Sequence, residues 1–200
     1  MHHFPASFLL LTMASCRACG EPSSPLTAIP GGSYGHETME LSLASHGDRL
    51  VAAYASLYGK DAHECACLLD LRRQGPGSWV ADYAGEQVEL TRGDDSLQIG
   101  PVGGEPIDLA CCGQAWSGDT APLSSHRPMS TCRTVSEAAE VFLPVPYVEE
   151  PTASDRTTRR GDVFEGTRLF RAFDVWVLGH IPGPGGLVGL VRIEELDCGS

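Results

Sequence analysis

The sequence predicts an all-β protein: a small antiparallel β-barrel or meander over residues 33–125, followed by a second small β-barrel over residues 126–200. Three observations predict it. The 200 residues include 23 glycines and 14 prolines, so turns are frequent and long helical periods scarce. Apolar side chains recur at every second position in short runs, the pattern of half-buried strands. Those runs follow one another at roughly ten-residue spacing with turn signals between them, as in meanders, small barrels and sandwiches. The 42% hydrophobic content is enough for the core of one or two domains.

At the N-terminus, "MHHFPASFLLLTMASC" carries an apolar run from Phe8 to Met13, then the small residues Ala14 and Ser15, then Cys16. This is the shape of a secretory signal, with an apolar region before small residues at a cleavage point. It resembles a bacterial lipoprotein signal, with Met13-Ala14-Ser15-Cys16 as the lipobox. The resemblance implies a signal peptide over 1–15, lipidation of the Cys16 thiol, and a place in the cell envelope facing the periplasm or exterior. The n-region departs from that pattern, since His2 and His3 stand where Lys or Arg is usual. Residues 16–32, "CRACGEPSSPLTAIPGG", have no hydrophobic period and read as a tether. No run reaches the ~18 apolar residues of a membrane span, so the lipid is the only membrane contact expected.

The strands of the first unit follow. In "HETMELSLAS" Met39, Leu41 and Leu43 alternate with Thr38, Glu40 and Ser42, and "HGDR" turns the chain. Val51, Ala53, Ala55 and Leu57 then share one parity; frequent alanine leaves a helix as the alternative, but Gly47 and Gly59 bracket the run and favour a strand. "HECACLLDL" places Cys65, Cys67 and Leu69 on one face, and "RQGPGS" is a strong turn. "WVADYAG", "EQVELTRG", "DDSLQIG" and "EPIDLACCG" complete the set. The pattern is loosely similar to small β-barrel domains of exported bacterial lipoproteins, lysozyme inhibitors among them. That similarity rests on "GGSYGHETMELSL", the meander and the cysteines.

After "APLSSHRP" come "STCRTVSEAAEVFLPVP", "RRGDVFEG", "FDVWVLGHI" and "GLVGLVRIEELDC". In this order they resemble a bacterial SH3-like (SH3b) domain. Arg160-Gly161-Asp162-Val163 match its turn and strand, Asp174-Val175-Trp176-Val177 its Trp strand, and Glu195-Leu196 its close. Gly189-Leu190-Val191 stand where Gly-Trp-Val is usual, so an aromatic of the family's exposed surface is missing at Leu190. The resemblance implies an SH3-like β-barrel with a peptide-binding face, for which Trp176, Tyr147, Phe170 and Phe173 are the candidates. The alternative for the same aromatics is core packing. The "RGD" at 160–162 needs only a Gly-Asp turn before a strand.

Net charge is −12. Residues 28–125 hold 5 basic and 14 acidic side chains, net −9, and residues 126–200 hold 8 and 11, net −3. Such a chain repels phosphate backbones and anionic lipid, and nucleic acid is not an expected partner. A basic protein or peptide would be favoured.

Of eight cysteines, Cys16 is assigned to lipid by the lipoprotein resemblance. In an oxidising compartment the others are expected to pair. Cys132 and Cys198 bracket the second unit, where the terminal strands of an SH3-like barrel lie close. Bridging Cys65 and Cys67 to Cys111 and Cys112 is harder. Neighbours on a regular strand face opposite ways, so two bridges need a turn at 111–113, which Gly113 permits. One bridge would leave two thiols over, or a link to Cys19. A metal site is the alternative: Cys-x-Cys and Cys-Cys spacings suit structural zinc poorly but a soft ion such as Cu(I) tolerates them, and His63 could add a nitrogen.

No nucleophile elbow, His-Glu-x-x-His, Walker loop or strand-linked Gly-x-Gly-x-x-Gly occurs. "RGDDS" at 92–96 reads as a hairpin turn, and "GPGGLVG" at 183–189 enters a strand. The expectation is a non-catalytic envelope lipoprotein without cofactor. It would bind a peptide, peptidoglycan or another envelope protein through the SH3-like unit. The alternatives are inhibition of a basic enzyme such as lysozyme, and thiol-based metal binding.

Overall fold

The computed structural model describes residues 29–36, 38–58, 63–83, 85–144, 151–169, 173–183 and 186–199. Cys16, Cys19, Tyr147 and Phe170 lie outside the described residues, as do the signal and most of the tether. The protein is all-β, as the sequence predicts, with a curled nine-stranded antiparallel half-barrel and a further sheet.

The half-barrel is a meander. Its first strands are β1 (Gly32–His36), β2 (Met39–His46), β3 (Arg49–Tyr58) and β4 (His63–Gly75). Then come β5 (Ser78–Tyr83), β6 (Glu86–Arg92) and β7 (Ser96–Pro101). A short ribbon, β8 (Ile107–Leu109) with β9 (Gln114–Trp116), separates them from β10 (Asp119–Pro122) and β11 (Arg127–Pro128). The sheet order is β10-β7-β6-β5-β4-β3-β2-β1-β11, all antiparallel. Residues 49–58 are the strand favoured by their bracketing glycines. Arg49 clamps β3 to β4, donating from Nε and Nη2 to the two carboxylate oxygens of Asp70 at 2.8 and 2.9 Å.

The second sheet has seven strands: β12 (Ser130–Thr134), β13 (Ala138–Leu143), β14 (Thr152–Arg159), β15 (Val163–Arg168), β16 (Trp176–His180), β17 (Val188–Arg192) and β18 (Leu196–Asp197). Its order is β14-β13-β17-β16-β15-β12-β18. The RGD segment is a turn: the Arg159 amide donates to Asp162 Oδ2 at 2.8 Å and the Gly161 amide to the Thr134 carbonyl at 2.8 Å.

Three apolar clusters follow from strand parity. Tyr34, Leu41, Leu43, Leu50, Tyr54, Leu69, Leu90, Ile99 and Trp116 fill the concave side of the half-barrel. On the opposite parity, Ala44, Val51, Ala53 and Leu68 meet Leu169, Phe173, Trp176, Leu178, Val188 and Leu190 of the second unit. The other side of that unit's strands holds the third cluster, equally buried, with Cys132, Val141, Phe164, Val177 and Val191. The middle strands of the half-barrel are therefore covered on both faces, and the two sheets share a core.

Candidate functional site

Cys65 and Cys67 point from β4 into the concave core and are both 1% exposed. The β8–β9 ribbon lies over that core, contributing Leu109, Cys112 and Trp116. Its turn brings the neighbouring cysteines back to one strand. The amides of Cys112 and Gly113 both donate to the Leu109 carbonyl, at 2.9 and 3.2 Å, and Gly113 takes φ of +65°. That is left-handed backbone, which glycine adopts at little cost. The Ala66 amide donates to the Cys111 carbonyl at 3.0 Å, holding the turn beside β4. Disulfides join Cys65 to Cys112 and Cys67 to Cys111, so both thiols of each pair are engaged. A third joins Cys132 to Cys198 across the second unit. These bridges are compatible with an exported protein. No helix among the described residues is long and apolar enough to cross a membrane.

Next to the sulfur cluster runs a polar chain. Tyr54, opposite Cys67 in the β3–β4 register, donates from its hydroxyl to Asp119 Oδ2 and accepts from Trp116 Nε1 at 3.0 Å. Asp119 opens onto a cleft of about 350 Å³ at the rim of the half-barrel. Glu89, Thr91, Gln98, Ser117 and Thr120 line it with Gly100 and Gly118. Glu89 accepts from Ser78 Oγ at 2.7 Å. Gly118, at φ +93°, has the Ile99 carbonyl where a Cβ would project, so this wall is set by backbone.

A second cleft, about 410 Å³, lies on the second unit and is lined by Ala138, Glu140, Phe142, Arg192, Glu194 and Glu195. Phe142 meets the Trp176 ring edge-on at 4.7 Å between centroids. The Arg192 guanidinium stands 5.1 Å from the Trp176 centroid and 5.9 Å from that of Phe142. Each distance is within the range of cation–π attraction. Glu195 accepts from Ser136 Oγ.

The chain matches no family model, no curated protein and no solved structure.

The sequence-nominated aromatics divide. Tyr147 lies outside the described residues. Phe173 and Trp176 are 5% and 7% exposed and pack between the two sheets, with the Trp176 ring lying beneath Arg192. Their bulk is used in packing, which was the alternative open to them. Leu190, at the position where the family's aromatic is missing, is fully buried in the same layer. The cleft instead uses Phe142, Arg192 and Glu140, which sequence reasoning did not nominate. "EVFL" entered only as part of the stretch that opens the SH3-like resemblance, and Phe142 and Arg192 approach one another because β13 pairs with β17 at Phe142 opposite Leu190.

His180 of β16 places Nε2 3.4 Å from Glu165, while Nδ1 is buried with no hydrogen-bond partner among the described residues. Burial pushes its pKa below the ordinary value, Glu165 opposes that, and His46 of the half-barrel lowers it further.

Proposed function

We propose that the protein is a non-catalytic, exported lipoprotein of the bacterial cell envelope that binds an extended peptide segment of an envelope partner. The lipid would sit on Cys16. The carrying observation is the cleft between β13 and β17, where one cation, Arg192, lies over aromatic rings amid Glu140, Glu194 and Glu195. Such a surface offers a carboxylate partner, basic-group partners and an apolar strip together, which suits a peptide of mixed charge better than a uniform polyanion. The resemblance of the second unit to SH3-like domains supports the same reading. The test is retention of envelope extract on the immobilised full chain, compared with an Arg192→Ala/Phe142→Ala variant. A peptide or protein retained by the first and lost by the second supports the proposal. Equal retention, or none, refutes it.

A second reading is inhibition of a basic enzyme. It draws on the polar cleft holding Glu89 and Asp119 and on the net charge of −9 over residues 28–125. Adding micromolar protein to a lysozyme assay tests it; unchanged activity removes it.

A further inference from the structure

We propose that Cys65, Cys67, Cys111 and Cys112 are a redox-gated site for one soft d¹⁰ cation of the zinc class, bound when the two bridges are reduced and expelled when they close. The inference is independent of the peptide-binding reading. It rests on where the sulfurs lie between bridges rather than within them. Cys67 Sγ is 3.9 Å from Cys65 Sγ and 3.8 Å from Cys112 Sγ. Three sulfurs, those of Cys65, Cys67 and Cys112, are all within 4.8 Å of one another with the Cys65–Cys112 bridge closed, and the fourth, that of Cys111, is carried in by its bridge to Cys67. Around a tetrahedral zinc with metal–sulfur bonds of about 2.3 Å, ligand sulfurs stand roughly 3.8 Å apart. Two edges of that tetrahedron are therefore already set by the fold.

The spacing rule for zinc describes paired ligands on one loop, and Cys-x-Cys or Cys-Cys violates it. Here each pair comes from a different element. Cys65 and Cys67 share a face of β4, held by pairing opposite Ser56 and Tyr54. Cys111 and Cys112 ride on the turn of a two-stranded ribbon, which shares no sheet with β4. That turn is the part able to give way as the sulfurs separate. The surroundings are dry: Cys65 and Cys67 are 1% exposed and Cys112 4%, while the half-buried Cys111 leaves a way in.

The chemistry balances. Two equivalents of a dithiol reductant each become a cyclic disulfide and convert the two bridges to four thiols. A divalent ion then replaces four protons, giving a tetrathiolate of charge −2. Two equivalents of a disulfide oxidant reverse it: each takes two electrons from two of the sulfurs and leaves as two thiols with two protons from solvent, so that both bridges re-form and the ion is released.

The test uses the full chain, reduced without oxygen and freed of reductant, titrated with Co²⁺ as the spectroscopic stand-in and then with Zn²⁺. Expected are one Co²⁺ per chain with the visible bands of a tetrahedral thiolate, bleached by Zn²⁺, and no binding by the oxidised chain. A Cys132→Ser/Cys198→Ser variant should keep the site; a Cys67→Ser/Cys112→Ser variant should lose it. Far-ultraviolet circular dichroism on the same samples reports folding. The proposal is overturned by a missing thiolate band, by a stoichiometry other than one, or by binding that survives loss of Cys67 and Cys112. It is overturned equally if the reduced chain loses its strand spectrum and zinc does not restore it.

Discussion

His180 is one side chain through which acid acts on the fold. Its ring lies where the end of β16 comes near His46 of β2, with Glu165 as a charged partner of opposite sign. Because the folded pKa lies below the ordinary 6.5, the unfolded chain takes the proton more readily. The stability this residue lends is therefore complete above the unfolded value and is lost as pH falls through the folded one. A His180→Gln variant should show a shallower fall in Tm than the parent between neutral pH and about pH 5; parallel Tm curves would contradict this. Gly113 acts at the same scale. Alanine there would take left-handed backbone at a cost of about 1–2 kcal/mol. A Gly113→Ala chain should refold more slowly to the 65–112, 67–111 pairing, with mispaired Cys111 and Cys112 visible in a peptide disulfide map. Unchanged pairing kinetics would argue that the turn is set by β8 and β9 instead.

Among elements, β16 and β17 bind the two sheets together, through Trp176, Leu178, Val188 and Leu190 on one parity. Leu178 is fully buried there, and Leu178→Ala should cost about 2–5 kcal/mol in chemical denaturation. Elements bounded by strong turns were legible in the sequence. The hairpins β5–β6 and β6–β7 follow from Gly85 and from "RGDDS", where the Gly93 amide closes the turn on the Ser96 carbonyl at 2.8 Å. Strands β9 and β10 were not, because three and four residues are too few to display an alternation. In β3 the alternation was read correctly, yet the parity with Val51 and Ala53 is not the concave one. It meets the second unit, and only knowledge of what covers the far side of the sheet reveals that. The same ignorance made Trp176 and Phe173 look available for a ligand. The double bridge could be posed from sequence as a question about a turn at 111–113, but its answer needed the backbone of that turn.

At the scale of the whole molecule, the third bridge closes the longest covalent loop among the described residues, Cys132 to Cys198, over a sequence separation of 66. In the chain-entropy account such a loop contributes about 4 kcal/mol. A Cys132→Ala/Cys198→Ala chain should lose close to that amount in urea denaturation. The shared layer makes a further demand, because a loss on the second sheet must be felt by the first. Denaturation of the Leu178→Ala chain should give coincident curves from near- and far-ultraviolet circular dichroism. Separate transitions would mean that the sheets unfold independently.

β2, β3 and the stretch of β4 around Leu68 are walled in on both sides, by the concave core and by the second sheet. Solvent deuterium has no local route to their amides; a small fluctuation that exposes one face leaves the other covered. Their exchange should therefore be the slowest in the chain and should accelerate only when the layer between the sheets comes apart. The edge strands β10 and β14 should label early. A deuterium map read strand by strand would thus show a hidden spine, three strands wide, running through the middle of the protein.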